Sequence, residues 1–322
     1  MRNRWVSSCL ACLFACGGST PTGDTSPDAG QAGDAATLSD SGSSGGGSAV
    51  LFGGAGSHAN LSDTWTWNGT AWTQLNVAGP SARDGAMMAA LNGTLVLFGG
   101  SDGANFLSDT WTWNGTAWAQ LSVHGPSARS DAVIAPLNGT LVLFGGYPGG
   151  SNLLSDTWTW NGTAWTQLNV AGPSARDGAM MAALNGTLVL FGGDGQGAGR
   201  FSDTWTWNGT AWTQLNVTGP SARYGGVMAP LDGKLVLFGG SDGTNELSDT
   251  WTWDGTAWTQ LNVTGPMARK DAAMTPLNGA LMLFDGLGSD IFSDTWTWNG
   301  TTWSAVNSVG PSARWSPVMA AP

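Results

Sequence analysis

SDTWTWNGTAWTQL, residues 62–75, places three tryptophans within eight positions, and near-copies begin at 108, 155, 202, 248 and 293. These six copies hold 18 of the 20 tryptophans in the chain. Reading the stretch as a hairpin decides between two roles for them. If Asn68-Gly69 closes a two-residue turn, Trp67 faces Thr70 and Trp65 faces Trp72. Side chains alternate along a strand, so Trp65, Trp67 and Trp72 share one face, and Thr64, Thr66, Ala71 and Thr73 the other. A bulky face that meets a neighbour's small face packs as a structural layer. Each buried indole then contributes up to about 4–6 kcal/mol, an upper bound from its apolar area. The competing role is a stacking platform for sugars.

Around this stretch the chain repeats every 45 to 47 residues. LFGG or its variant begins at 51, 97, 143, 190, 237 and 283, and each unit reads as four short strands, A to D. In the second unit these are Arg83–Leu91, Thr94–Gly100, Asp109–Trp113 and Thr116–Val123. The A–B and C–D links are Asn-Gly (LNGT, WNGT), the pair that a type I′ hairpin turn favours because both central residues take positive φ. The period, with units that need neighbours to bury their faces, is that of propeller blades. The first copy starts at strand B (AVLFGG, from 49), and the chain ends in GPSARWSPVMAAP, a strand A with no B after it. The expectation is an all-β, six-bladed propeller over residues 48–322 whose C-terminal strand closes the N-terminal blade and removes the open edge.

An apolar strand ending in Gly-Gly, an Asp-led aromatic strand and then a further Trp resemble the kelch repeat. Phe98, Gly99, Gly100, Asp109, Trp113 and Trp118 carry that resemblance in the second unit, and six copies agree across residues 48–322. Trp113 stands where kelch units commonly have Tyr, and Asp285-Gly286 replaces Gly-Gly in one copy. The resemblance implies a β-propeller.

Ahead of the repeats, MRNRWVSSCLACLFAC has two arginines, a short apolar run and three cysteines, Cys9, Cys12 and Cys16. This is a signal-peptide layout, too short to span a bilayer. Leu13, Ala15 and Cys16 resemble the box of a bacterial lipoprotein signal, with Cys16 the expected lipidation site and Phe14 bulkier than usual. Gly17 after the cysteine resembles sorting to the outer membrane. Residues 17–47 hold no aromatic and no base, cannot offset their ordering entropy, and read as a flexible tether. The expected location is therefore exported and lipid-anchored at the cell envelope, with the membrane met only through that anchor.

Net charge is −11, with two lysines and one glutamate, Glu246. No basic cluster offers phosphate contacts, which excludes nucleic-acid binding. No catalytic set assembles either. His58 and His124 lack a second histidine at ligand spacing, and the body has no cysteine to build the copper site of kelch-like oxidases. Glu246 alone cannot supply a sialidase's acidic groups, and Gly pairs and DG pairs read as turns rather than phosphate or calcium loops. No enzyme, cofactor or metal is expected.

The remaining recurrent polar feature is an arginine in each GPxAR stretch before strand A: Arg83, Arg129, Arg176, Arg223, Arg269 and Arg314. Two readings stand. The resemblance to peptide-binding propellers implies an arginine that reaches the channel mouth, where a ring of six would suit carboxylate or phosphate binding; alternatively, each pairs with a repeat Asp such as Asp109 or Asp156, or caps loop carbonyls. In a four-stranded meander the A–B and C–D turns share one rim and the B–C and D–A loops the other. Sequence variation gathers on the second rim, including the residue after each arginine: Asp84, Ser130, Asp177, Tyr224, Lys270 and Trp315. A ligand is expected there, over the channel, on Arg223, Tyr224, Arg314 and Trp315. The leading expectation is a non-enzymatic module that binds a protein or peptide; the alternative is an envelope propeller that binds or processes carbohydrate, with a glycan as ligand. Residues 61–100 and 154–193 are identical, so sameness between copies reflects duplication as readily as constraint.

Overall fold

A computed structural model describes residues 47–322. Strand A of the second unit is β4 (Met87–Leu91), followed by β5 (Thr94–Phe98), β6 (Thr110–Trp113) and β7 (Trp118–Leu121). They form one antiparallel sheet in chain order. Six such four-stranded sheets make the blades of a propeller. The innermost strand of each blade touches that of the blade on either side, all the way round. Blade 1 combines β1 (Ala49–Phe52), β2 (Thr64–Trp67) and β3 (Trp72–Leu75) with the final strand, β24 (Val318–Ala320). Val50 pairs with Ala320 and Phe52 with Val318, so the two ends of the repeat array close the ring as expected.

The strands are shorter than the sequence reading. Arg83 to Ala86 lie outside β4 because Asp84 forms an isolated bridge to Ser101 and Gly85 turns to φ 61°. Strand B stops at Phe98 because Gly99 and Gly100 take φ 64° and 100°, swinging the chain out of the ladder. The two Asn-Gly turns also differ. Asn92 (φ 51°) and Gly93 (φ 76°) form the expected two-residue type I′ turn, which joins Leu91 to Thr94.

At Asn68-Gly69 the register is Trp67↔Trp72, which makes a four-residue loop. The Asn68 Oδ1 organises it by accepting from Thr70 N–H, Thr70 Oγ1–H and Ala71 N–H, each at 2.9 Å. The expected pairing of Trp65 with Trp72 is thereby corrected: Trp65 faces Gln74. Parity is unchanged, so the three indoles still share a face.

All three tryptophans of each copy have structural work. Trp65 is half-buried and donates Nε1–H to Asp63 Oδ2 at 2.7 Å. Trp67 is sealed in the core and packs on Trp72, with ring centroids 5.3 Å apart. The third Trp crosses to the preceding blade. Trp118 of blade 2 packs on Phe52 of blade 1 and donates to the Thr64 hydroxyl at 3.0 Å. Trp72 of blade 1 does the same to Phe284 and Thr295 of blade 6. The large face thus meets the neighbour's threonine face, and the first threonine of each TWTW is buried because it accepts an indole N–H. The same indole explains the Gly of GPxAR: a β-carbon on Gly79 would sit 2.7 Å from Trp118 Cδ1.

Candidate functional site

The six arginines lie inside the blades. Arg83 is 1% exposed and spends all five N–H donors. Nη1 donates to Asp109 Oδ1 (2.6 Å) and to the Gly99 carbonyl (2.9 Å). Nη2 donates to Asp109 Oδ2 (2.9 Å) and Ser81 Oγ (3.0 Å), and Nε to the Ser81 carbonyl (3.0 Å). One guanidinium therefore ties the entry to strand A, the exit from strand B and the entry to strand C. Arg129, Arg176, Arg223 and Arg269 repeat the bidentate pair with Asp156, Asp203, Asp249 and Asp294. Arg314 pairs with Asp63, 251 residues away, and so staples the closing strand to blade 1. Half-burial opposes ionisation of Asp109, yet the Arg83 guanidinium and the Trp111 indole N–H outweigh it and hold the carboxyl below its usual range. Of the two sequence readings, this geometry is the pairing with a repeat Asp; no arginine of the six stands at the channel mouth.

What does surround the axis is a belt of backbone. Two residues after each arginine the chain adopts left-handed φ: Gly85, Asp131, Gly178, Gly225, Asp271 and Ser316, all between 54° and 66°. Each N–H donates to the carbonyl of the equivalent residue in the preceding blade. Gly85 donates to Ser316 (3.3 Å), Ser316 to Asp271 (2.8 Å) and Asp271 to Gly225 (2.7 Å). Gly225 donates to Gly178 (2.9 Å), Gly178 to Asp131 (3.0 Å) and Asp131 back to Gly85 (3.0 Å). Six bonds close on themselves. The sequence reading missed this belt, and its only sign is a Gly, Asp or Ser two places after each Arg, residue types that tolerate left-handed φ.

Beside the belt, the residues that follow the arginines form the mouth. Asp84 accepts from Asn60 Nδ2 of blade 1 at 3.0 Å, and burial, only partly offset by that bond, pushes its carboxyl up to about 6. Tyr224 is half-buried. The Lys270 Nζ reaches the Tyr224 hydroxyl at 3.2 Å and lies 5.2 Å from its ring centre; the Arg200 guanidinium lies 5.6 Å from the same centre. Arg200 was not singled out from sequence and Lys270 was named only among the varying residues of the rim, because nothing in their spacing brings them to one tyrosine. Trp315 is 7% exposed, and its backbone exchanges both bonds with Ala55. This is the bridge that Asp84, Ser130, Tyr224 and Lys270 make in their own blades, and in blade 1 it joins the closing segment to the first B–C loop.

Asp131, in the belt between the mouth residues Ser130 and Asp177 of neighbouring blades, is 1% exposed. Its Oδ2 accepts from Ser130 Oγ at 2.7 Å, and Oδ1 has no hydrogen-bond partner. Burial, then the nearby Asp177 charge, raise its carboxyl well above the usual range. Among the described residues no three His, Cys, Asp or Glu side chains are grouped to hold a metal ion, and no helix is long and apolar enough to cross a membrane. The expected lipidation site, Cys16, lies outside the described residues.

Residues 161–321 match the family model described as the KLHDC2/KLHL20/DRC7 Kelch-repeats domain. No curated protein matches the chain.

Proposed function

The chain belongs to the KLHDC2/KLHL20/DRC7 kelch-repeat family, and from that premise we propose that it is a non-enzymatic interaction module that binds a protein or peptide on the B–C/D–A rim. The observation that carries this reading is the contrast between layers only a few residues apart. Beneath the rim, six arginine–aspartate pairs are alike in every blade. At the mouth, the next residue is Asp84, Ser130, Asp177, Tyr224, Lys270 or Trp315. The opposite rim repeats the same two turns, A–B and C–D, from blade to blade and offers little to distinguish one partner from another. Binding sites sit on loops held by a rigid scaffold, and this scaffold is rigid where it repeats. The six arginines support the site from below, holding the loops rather than touching ligand. Two tryptophans of each copy are buried and the third, half-buried, is tied to an aspartate, which favours a protein or peptide over a glycan.

The test is a comparison of rims. Tyr224→Ala with Lys270→Ala alters one, and Asn138→Asp with Asn185→Asp the other. Partner capture from envelope extract should fail for the first pair and persist for the second; the reverse pattern overturns the assignment. Residues 1–16 and 17–47 are proposed as lipoprotein signal and tether, with Cys16 as the anchor to the envelope, more fittingly the outer membrane given Gly17. Palmitate labelling of the parent, lost in Cys16→Ala, checks this, and an unlabelled parent sinks it.

A further inference from the structure

Blades 2, 3 and 4 each contain Asn-Gly-Thr twice, and the fold puts the same tripeptide to two uses. In the A–B turn of blade 2, Asn92 is left-handed (φ 51°), and no donor among the described residues reaches its side-chain oxygen. The threonine hydroxyl of such a turn goes to the backbone instead: Thr140 Oγ1–H donates to the Leu137 carbonyl at 2.9 Å, and Thr187 Oγ1–H to that of Leu184 at 3.0 Å. In the C–D loop of blade 2 the side-chain oxygen is gripped. Asn114 Oδ1 accepts from Thr116 N–H (3.0 Å), Thr116 Oγ1–H (2.9 Å) and Ala117 N–H (2.9 Å). Asn68, Asn161, Asn208 and Asn299 repeat this in their own blades, and all five loops face solvent.

An amide whose oxygen already holds three donors is an electrophile with its oxyanion hole in place. Negative charge that builds on Oδ1 as a nucleophile adds at Cγ meets donors that need no rearrangement. The nucleophile is the next atom group along the chain. The backbone nitrogen of Gly115 can close a five-membered ring on Asn114 Cγ, and its N–H donates to none of the described residues. Glycine puts no side chain in the way, and beyond its chain neighbours no atom lies within 4 Å of where its β-carbon would be.

We propose that the C–D loops at Asn68, Asn114, Asn161, Asn208 and Asn299 are self-modifying sites, whose own donors promote cyclisation and deamidation of the asparagine. In blade 2 the Gly115 nitrogen gives up its proton and bonds Asn114 Cγ. The Cγ–Nδ2 bond breaks, and Nδ2 leaves with that proton as ammonia. Water then opens the cyclic imide, at Cγ to leave an aspartate or at the backbone carbonyl to leave a β-linked isoaspartate. Blade 5 shows that the aspartate fits. Asp254 stands at the same position, and its Oδ1 accepts from Thr256 N–H, Thr256 Oγ1–H and Ala257 N–H at 2.8, 2.7 and 2.9 Å. Those bonds, the Thr256 hydroxyl's foremost, hold its carboxyl down to about 2, so each conversion to aspartate adds a full negative charge at neutral pH. The charge gathers on the A–B/C–D rim, and the inference does not depend on the binding face proposed above.

Residues 84–129, one tryptic segment, carry a site of each kind, Asn92 and Asn114. Both are followed by Gly-Thr, so local sequence gives them nearly the same rate once the chain is unfolded. Peptide mass spectrometry reads each site after the whole protein is incubated at mildly alkaline pH, native and in guanidinium chloride. Native Asn114 should convert about tenfold faster than native Asn92, less than the hundredfold or so that one such donor supplies in a closed site, because the loop is open to water. Unfolding should bring the two rates together. Thr116→Val keeps the side chain's shape and loses the hydroxyl donor; it should slow Asn114 at least about threefold, with Asn92 as internal standard, and Thr116→Ser should restore the rate. Native Asn114 reacting no faster than Asn92, or more slowly than in the unfolded chain, overturns the proposal, since the three donors would then lock the amide rather than activate it. So does an Asn114 rate that Thr116→Val leaves unchanged.

Discussion

Two six-membered circles of polar groups lie a few residues apart, and they are built on opposite terms. In the outer circle each guanidinium meets a carboxylate in bidentate geometry and also bonds the backbone, and the pattern is the same from blade to blade. In the inner circle the backbone is the constant part: six left-handed residues joined by six N–H···O=C bonds. Its side chains are three glycines, two aspartates and a serine, and Asp131 Oδ1 and Ser316 Oγ are buried without partners. A buried charge that is fully paired holds a fold together; a buried carboxyl without a donor has to be explained by something else.

The strongest way to break the comparison is to remove members of the outer circle in graded steps. Deleting residues 311–322 takes away β24, the Arg314–Asp63 staple and the Ser316 link of the belt together. Loss of the cooperative melt by circular dichroism is expected, and an unchanged melting curve would refute the closure. Arg129→Ala removes one staple and leaves Asp156, which is only 19% exposed, without its partner. It should cost roughly 3–5 kcal/mol in urea unfolding, as for other broken buried pairs. Arg269→Ala should cost less. Asp294 is 36% exposed and can rehydrate, and Met267 replaces the serine that braces the guanidinium in other blades. Equal losses for the two would mean that exposure of the stranded carboxylate does not set the cost.

What could be read from sequence follows the same division. Blade number, strand order, ring closure and the rim on which loops vary were legible, because each depends on local turn chemistry or on repeated apolar pattern. The LNGT turn was legible as well, since Asn92 and Gly93 need only their own φ values. WNGT was misread although it contains the same Asn-Gly. There the side chain of Asn68 captures three donors, and the loop widens until Trp67 and Trp72 pair. A competition between backbone and side-chain hydrogen bonds is invisible in a dipeptide rule. The belt was not legible at all. It demands a backbone conformation and a neighbour in the next blade, and Gly, Asp and Ser meet the first demand equally well. Whether each arginine met a ligand or an aspartate was open for a related reason: both readings need the same residue, and only the distance to Asp109 and its equivalents decides.

The smallest expected effect sharpens the contrast from within the scaffold, at its one irregular copy. Gly53, Gly99, Gly145, Gly192 and Gly239 occupy a position where a β-carbon would come within 2.5–2.7 Å of the following arginine's carbonyl oxygen. In blade 6 that position is Asp285, held at φ 57° with its carboxylate fully buried and neither oxygen bonded. The crowding shows in the adjacent bond: Gly286 N–H lies 3.2 Å from the Arg314 carbonyl, against 2.8–2.9 Å in the other five blades. Asp285→Gly should therefore stabilise the protein by roughly 1–3 kcal/mol, the relief of a strained non-glycine φ and an unpartnered acid exceeding glycine's entropic cost. The gain should depend on pH, and its sign is fixed. Burial raises the Asp285 carboxyl well above its ordinary value, an effect that the charges of Arg314 and Arg269 only partly offset. The folded parent therefore holds that proton more tightly than the unfolded chain. Its stability falls as pH rises from the unfolded carboxyl's value, about 3.9, through the raised folded one. Urea unfolding of parent and variant should show a difference that is smaller at about pH 4 than at about pH 8, since the other buried acids are common to both and cancel in the comparison. A gain of equal size at both pH values would assign the benefit to backbone relief alone, and a gain larger in acid would contradict the burial of an unpaired carboxyl at this position.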